Sequence, residues 1–413
     1  MGSYYQFHDD DRVNALKSFG DALRLSSASG DTKRQSDAFD CLANLDWQNG
    51  DYAAGQNHAF ESHRLATIRG DLYREARGLR SQAMCWNTLG NYKEGISACA
   101  RARELLALCG LADGEMDSAI MSSQGEVHRA KTEYAEARKI SDQIIQKVSS
   151  DKDPFDHAIA LFNLTEVDIR LGASREQVEG NIARIKAIFA GMGFKRGETL
   201  CALISGDLEM REGNLATAGT LLRRCVQASQ GKDGEIMTLA LGLLADPERW
   251  RFLPAAENWS VIFLVHVLKS GEQLEIHRAF QFLGESFLHH HRDSATATSL
   301  FAVALEKFTQ MDIHQNRAEC TLRLGEIARD EGDAVRAVEL WRAARPLFER
   351  CSQVKEVAKI DNRLMGIERE MQERHEKSLS NLFAVKAPTD SVGPDEGSEH
   401  RRPDEQVQVP VLF

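Results

Sequence analysis

Acidic and basic side chains recur along this chain at intervals of about forty residues. In most recurrences a carboxylate is followed three or four residues later by a basic group, and this spacing places both on one face of a helix. The acidic or amide positions are Asn44, Glu126, Glu166, Asp207, Glu285 and Glu326, and the basic positions that follow are Arg129, Arg170, Arg211, His289 and Arg329. Groups of this kind can select a peptide or a helix by charge complementarity and hydrogen bonding.

This charge pattern has two interpretations. In the first, each pair is an intrahelical contact that contributes about 0.2–0.5 kcal/mol and keeps the surface soluble. In the second, the pairs line a groove that binds a protein segment, and Arg77 and Arg80 form the basic end of that groove. Both interpretations are left open by the sequence.

Residues arranged for catalysis or metal binding are not evident. Neither GxSxG nor HExxH occurs, and the eight cysteines form no CxxC pair. The run His289-His290-His291 cannot converge on one ion from a helix, because neighbouring side chains diverge by about 100°. We therefore expect a non-catalytic protein with no catalytic, cofactor-binding or metal-ligating residues.

The elements that would position these groups also repeat. A small residue, one turn into an apolar run, returns at Ala15, Gly55, Gly95, Ala137, near Gln177, and at Ala218, Ala297 and Ala337, with room for a degenerate copy near Asn258. A fixed period in this range is typical of stacked units that cannot bury their apolar faces alone.

The unit from Arg317 to Arg350 shows the pattern most completely. Its first predicted helix carries Leu324, Gly325 and Ala328, its turn is Gly332-Asp333, and its second helix carries Ala337, Trp341 and Ala344. Glycine tolerates a left-handed turn conformation, and aspartate can accept from the free N–H groups of the next helix. The short side chains allow the two helices to approach closely, and Trp341 fills the space towards the next unit.

These residues resemble the tetratricopeptide repeat. The resemblance implies an all-α fold, a right-handed α-α superhelix whose first helices line the concave face, with about eight to nine helix pairs over residues 11–375. Gly55 and Gly95 stand where that family usually has alanine, so we expect them to loosen their helices by about 1 kcal/mol each. We assign the long period to extended links between pairs, such as SASGDTKRQSDA, ATIRGDLYREAR and FTQMDIHQNRAE.

Two regions depart from the pattern. Residues 245–260 contain two prolines and two tryptophans without a Gly-Asp turn, which indicates either a decayed repeat or a joint between two blocks. Residues 376–413 are rich in Pro, Gly, Ser and acidic residues, so we expect them to be disordered.

The segment from Glu272 to Leu364 also resembles the C-terminal arrays of fungal STAND-type NTPases, in which a sensor array follows a nucleotide-binding motor. No GxxxxGK[ST] motif occurs in this chain. The alternative function is therefore a sensor array that acts beside a separate motor or without one.

Composition limits the partners. The formal net charge of −11 repels phosphate backbones, and no basic stripe offsets it, so we expect no nucleic acid partner. The longest apolar stretch, Val261 to Leu268, is too short for a bilayer, and scattered cysteines favour a reducing compartment. We expect a cytoplasmic scaffold whose partner is a protein or peptide, with no membrane association.

Overall fold

The computed structural model describes residues 12–112, 114–150, 153–250, 256–351 and 353–384. Helices make up 86% of the structure, which confirms the predicted all-α superhelix of helix pairs. The helices are α1 Arg12–Ser29, α2 Thr32–Asn49, α3 Tyr52–Arg69, α4 Leu72–Thr88, α5 Tyr92–Leu108, α6 Glu115–Ala130, α7 Tyr134–Lys147, α8 Pro154–Leu171, α9 Arg175–Gly191, α10 Arg196–Arg211, α11 Leu215–Ser229, α12 Gly234–Ala245, α13 Pro247–Trp250, α14 Ala256–Ser270, α15 Gln273–Ser286, α16 Ser294–Gln310, α17 His314–Asp330, α18 Ala334–Arg350 and α19 Val354–Ala384.

The chain divides into two compact units, Met1–Asp361 and Asn362–Phe413, and the division falls within α19. The helical part continues to Ala384, past the predicted end of the array at residue 375. No proline or glycine occurs between 376 and 384, so nothing there breaks the helix. The rest of the predicted disordered segment, from 385 onwards, lies outside the described residues.

The turns have the predicted chemistry. Gly332 has φ +90° and Asp333 accepts a hydrogen bond from the backbone N–H of Arg336, 3.0 Å away. Gly50, at φ +81°, and Asp51 form the same arrangement before α3. The Gly-Asp pair therefore ends one helix and caps the next within two residues.

The extended links predicted between pairs are wrong. Gly30-Asp31 and Gly70-Asp71 form the same two-residue turns as those within a pair, with the glycines at φ +68° and +67°. The sequence interpretation treated their flanking polar residues as loop, although these residues continue the helices. In these repeats the long period comes instead from helix length, because α2, α3 and α4 run for 17 or 18 residues.

Small residues allow the close approach that the sequence predicted. A Cβ on Gly325 would lie 2.6 Å from the Trp341 ring, and one on Gly284 would lie 2.9 Å from the Phe301 ring. Trp341 and Phe301 are almost fully buried. The large residue of the second helix thus fills the gap left by glycine in the first.

Glycines that were expected only to loosen helices make close contacts. A Cβ on Gly95 would lie 1.9 Å from Oδ1 of Asn87, whose amide donates to the Ser123 carbonyl at 3.2 Å. One on Gly55 would lie 3.2 Å from the Ala43 carbonyl. Alanine at these positions would therefore press on the first helix of the pair, and the simple helix-propensity argument does not apply to them.

The irregular region near 245–260 contains a helix pair with a changed connection. α12 and α14 pack together, and Phe263 and Val267 of α14 are fully buried against α12 and α15. The indole N–H of Trp250 donates to the Leu243 carbonyl at 2.8 Å. Residues 251–255, in the middle of the connection, lie outside the described part of the chain.

Within the first unit, the first helix of each pair lies on the concave side. The first helices α2, α4, α6, α8, α10 and α12 contact one another in sequence, as well as their own partners. In a curved stack the inner helices lie closer together than the outer ones. This places the side chains between successive first helices on the concave side, which we call the inner wall.

The curvature brings distant repeats of this unit into contact. The Tyr52 hydroxyl donates to Glu272 across 220 residues, and Thr132 Oγ1 lies 3.5 Å from Cys351 Sγ across 219 residues. A Cβ on Gly234 would lie 3.2 Å from the backbone of Asn49. These offsets of 185 (234 − 49) to 220 residues correspond to about five repeats per superhelical turn, and they show that the second turn packs on the first.

Candidate functional site on the inner wall

Ion pairs on the inner wall connect each repeat to the next. Arg129 on α6 pairs with Glu166 on α8, and Arg170 on α8 pairs with Asp207 on α10 at 3.0 Å. The partners in the first pair are 37 residues apart. The basic group of one repeat therefore reaches the acid of the following repeat, which forms a ladder along the wall.

At the N-terminal end of the ladder the base belongs to the later repeat and the acids to the earlier one. The Arg77 guanidinium on α4 contacts Asp37 at 3.0 Å and Asp40 at 2.5 Å, both on α2. The Asn44 amide donates to Ser81 of α4 at 3.4 Å. Arg77 is thus neutralised by carboxylates that the sequence analysis did not single out.

The C-terminal end has the same sense as the N-terminal end, which is opposite to that of the pairs between α6 and α10. Arg323 on α17 contacts Glu285 on α15 at 2.5 Å and Glu326 of its own helix at 2.8 Å. Arg329 lies exposed near the end of α17. Here the acid of the earlier repeat accepts from the base of the later one.

The two interpretations of the charge pattern each describe part of the wall. Asp207 with Arg211, 3.6 Å apart, is an intrahelical contact, and Glu285 of α15 contacts His289 of the adjoining π-helix Phe287–His291 at 3.1 Å. Asp207 also accepts from Arg170 of the preceding repeat. The intrahelical contacts therefore coexist with bridges between repeats, which sequence spacing alone did not reveal.

Glu126 differs from the other acids of the ladder. Within the described structure, no hydrogen bond or ion pair within 4 Å reaches its carboxylate, although it interacts electrostatically with Arg129 and Arg80. Burial, together with the negative charges of Glu235 and Glu166, raises the pKa of Glu126 to about 7. This carboxyl therefore titrates near neutral pH.

Two further groups on the helices next to that of Glu126 retain unused hydrogen-bonding capacity. Arg80 Nε on α4 and Asp156 Oδ2 on α8 are buried without a hydrogen-bond partner. Burial raises the pKa of Asp156 to about 6, and the charge of Glu115 adds to this shift. Three successive first helices thus place Arg80, Glu126 and Asp156 along the wall with capacity for another group.

The opposite side of the superhelix comes within electrostatic reach of the ladder. Glu126 interacts with Glu235 of α12, and Arg170 interacts with Asp246, which follows α12. The ladder side chains nevertheless stay partly accessible, with 28% of the Arg129 and 31% of the Arg170 side chain exposed. The wall therefore borders a narrow, polar space that water can enter.

A row of tyrosines was missed by the sequence analysis. Tyr52, Tyr92 and Tyr134 are the first residues of α3, α5 and α7, whereas the same position is Arg175 in α9 and Leu215 in α11. Tyr92 packs with Phe308 and Met311 of the second turn. The restriction of tyrosine to the first three repeats is a sequence signal for the contact between turns.

Comparisons with known proteins identify the fold. No protein-family model matches the chain, and no curated protein matches it. The crystal structure of a Rap protein complexed with competence and sporulation factor superposes with a TM-score of 0.52 at 12% identity, over 82% of this chain and 99% of that chain. The chain has a tetratricopeptide-like helical repeat fold.

A second solved structure, the APC/C hetero-tetramer Cut9–Hcn1, aligns with a TM-score of 0.32 at 12% identity, over 86% of each chain. Among the described helices, none is both long and apolar enough to cross a bilayer.

Proposed function

We propose that this chain is a non-catalytic scaffold that binds an extended segment of a partner protein along the inner wall. The observation that carries the proposal is the ladder between repeats, in which Arg129, Glu166, Arg170 and Asp207 alternate in charge and the two guanidinium groups remain partly accessible. A cytoplasmic, signalling role fits such a scaffold.

The ladder suits recognition because its groups are already ordered. Each guanidinium has five N–H donors and each carboxylate several acceptor positions, and the bridges use only part of that capacity. Side chains that are fixed before binding lose little entropy when a ligand arrives. An extended backbone with alternating donors and acceptors could follow the alternating charges, and Arg80 with Glu126 would receive a polar side chain at one end.

The likeness to the Rap structure supports this proposal at the level of fold. That Rap protein is complexed with competence and sporulation factor, and its structure covers most of this chain. For the present chain the occupant is inferred from the wall chemistry to be a protein segment with charges of both signs.

The test is selection of binders from a display library of random peptides. Peptides selected on the wild-type chain are titrated against Arg170→Glu, which breaks the ladder. Arg64→Glu is the matched control, because Arg64 forms an exposed intrahelical pair with Glu61. We expect at least a tenfold loss of affinity for the first variant and no change for the second; equal affinities for both folded variants would refute binding at the inner wall.

The resemblance of residues 272–364 to STAND-type sensor arrays supports a second candidate, a regulatory array without its own nucleotide-binding motor. Calorimetric titration with ATP tests the absence of a motor, which both candidates require. A measurable affinity of this chain for ATP would contradict the absence of a motor in it.

A further inference from the structure

A pocket opens on the inner wall beside Glu126. Its floor is buried and mostly apolar, with Ala137 and Ile144 of α7 and Val167 of α8. Its rim carries the half-buried side chains of Glu126 on α6 and Asn163 on α8. The pocket therefore runs from the inner wall, between two first helices, towards the second helix of the α6–α7 repeat.

The pocket exists because this repeat lacks a large side chain that comparable repeats have. Where a first helix has a glycine at this place, the second helix faces it with the residue one turn after its own small residue. The pairs are Gly125 with Ser141, Gly206 with Leu222, Gly284 with Phe301 and Gly325 with Trp341. In the last three pairs a Cβ on the glycine would lie 2.6–2.9 Å from the large side chain. Among the described residues, the only atoms of another helix within 4 Å of a Cβ on Gly125 belong to Ile140, and the nearest lies at 3.4 Å.

The serine at this place leaves the space open. The Ser141 hydroxyl donates to the Ala137 carbonyl at 3.1 Å, so the floor side chains offer a visitor one acceptor oxygen and no free donor. A buried water needs about two to four polar partners. The free space is that of a single water molecule or methyl group. An aliphatic carbon therefore suits the pocket better than water does.

The rim of the pocket favours a positive charge. Glu126 forms no ion pair within 4 Å among the described residues, whereas Arg129 on the same rim is neutralised by Glu166. The remaining cation that acts on Glu126 is Arg80, which also acts on Asp156. One guanidinium thus faces two carboxylates, and a cation at the mouth of the pocket would restore the balance of charge.

We propose that this pocket is the anchor site for the bound segment: it takes one small aliphatic side chain, alanine to valine in size, while Glu126 receives a basic side chain of the same segment. This deepens the proposed function and rests on it. Successive side chains of an extended segment point to opposite faces, so residues on one face are two positions apart. The ligand is therefore a protein segment with a small aliphatic residue two positions from a lysine or arginine.

Selection from a random-peptide display library on the wild-type chain provides the probes. The selection is made at pH 8, where Glu126 is ionised because its raised pKa of about 7 lies below that pH. We expect the selected peptides to share an alanine or valine two positions from a lysine or arginine. Selected peptides that lacked this pair would overturn the proposal.

Ser141→Val fills the pocket from the second helix, because valine adds a methyl group in that space. Exclusion of one aliphatic anchor should lower the affinity for the selected peptides about tenfold. The urea midpoint should not fall, since the new methyl group occupies free space. Ser299→Val is the matched control: Ser299 on α16 also donates to the carbonyl four residues earlier, that of Ala295 at 3.1 Å, but it is exposed. Its affinity should equal that of wild type.

Gly125→Ala closes the pocket from the first helix and decides the matter if Ser141→Val fails to fold. The new Cβ would lie 3.4 Å from Ile140, and it would occupy the space that the ligand needs. We expect the same loss of affinity of about tenfold. Gly180→Ala is its control, because no atom lies within 4 Å of that Cβ position.

The charge at the rim is tested with Glu126→Gln and with peptides whose basic residue is replaced by glutamine. On wild type the peptide replacement should lower affinity about tenfold. On Glu126→Gln it should have little effect, because the carboxylate that it addresses is gone. Equal losses on the two proteins would show that the basic residue binds elsewhere.

The outcomes distinguish this proposal from the proposed function. If peptides bind, lose affinity on Arg170→Glu and keep it on Ser141→Val and Gly125→Ala, the inner wall binds a segment but the pocket is only a packing defect. If no peptide binds to wild type, the proposed function and the anchor site both fail.

Discussion

At the scale of single residues, equivalent positions in the repeat behave differently. Glu126 and Glu166 occupy the same place in successive first helices, yet Glu166 accepts from Arg129 while Glu126 has no ion pair within 4 Å among the described residues. The difference arises because, between α6 and α10, each base pairs with the acid of the following repeat. Arg80, at the start of the series, lies too far from Glu126 to form a direct pair.

Glu126 should make the stability of the chain depend on pH. Its pKa is raised in the folded state to about 7, so its stabilising contribution is complete below about 4.5 and is lost as the pH rises through 7. Because the side chain is partly accessible to water, we expect wild type to lose about 1–3 kcal/mol relative to Glu126→Gln between pH 5 and pH 8. Urea unfolding of both proteins at the two pH values measures this difference.

Glu179→Gln serves as the control for this experiment. Glu179 lies on α9 with 54% of its side chain exposed, and it pairs with Arg175 of the same helix. Its replacement should change stability by less than about 0.5 kcal/mol at either pH. A Glu126 variant that followed wild type at both pH values would show that Glu126 titrates as an ordinary surface carboxyl.

The sequence identified the residue types of the ladder but not their partners. Spacing of three or four residues predicts contacts within a helix, and it cannot show that Arg129 reaches Glu166 on another helix. That choice depends on how closely successive first helices approach. Gly78 illustrates the same limit, because a Cβ there would lie 2.7 Å from the His63 backbone, and nothing in the repeat pattern marks this position.

At the scale of helices, the bridges between repeats should contribute more stability than the exposed intrahelical pairs. The Asp207 side chain is only 6% exposed, and its partner Arg170 is 31% exposed. Removal of one member therefore leaves a poorly solvated charge on the other. The inner wall thus combines a structural role with its proposed role in recognition.

A double-mutant cycle can measure this contribution. Replacement of Arg170 and Asp207 by alanine, singly and together, should give a coupling energy of about 1–3 kcal/mol in urea unfolding. The exposed pair of Arg64 and Glu61, whose side chains are 52% and 42% exposed, should give about 0.2–0.5 kcal/mol. Similar coupling in the two cycles would mean that the ladder contributes no more than a surface pair.

Helix ends were predictable where a single dipeptide determines them. Gly332-Asp333 gave the correct turn because glycine permits the left-handed conformation and aspartate caps the next helix. The same dipeptide at Gly30-Asp31 and Gly70-Asp71 was misread as part of a long link. The error came from the polar residues that follow, which form an exposed helical surface, so polarity was mistaken for irregular structure.

At the scale of the first unit, contact between turns changes the energetics expected of a repeat protein. A simple stack has only neighbour-to-neighbour interfaces, so its stability is a sum of local contributions. Here Tyr52 reaches Glu272, and Tyr92 packs with Phe308, more than 200 residues away. The pitch that creates these contacts accumulates from small rotations at each repeat, which a pattern of residue types does not encode. The three tyrosines were the available signal.

The close approach of Gly234 to Asn49 offers a direct test of the contact between the two superhelical turns. A Cβ on Gly234 would lie 3.2 Å from the carbonyl carbon and oxygen of Asn49 and from the nitrogen of Gly50. Valine there should push the turns apart and destabilise the chain by about 1–3 kcal/mol. It should also lower the hydrogen-exchange protection of the backbone amides of residues 49–54. Gly180→Val is the matched control, since no atom lies within 4 Å of its Cβ position on α9. Small-angle scattering should show a larger radius of gyration for the Gly234 variant alone, because only there does the new side chain meet the backbone of the other turn. If the radius of gyration and the hydrogen-exchange protection were unchanged in both variants, the two turns would not pack together in solution.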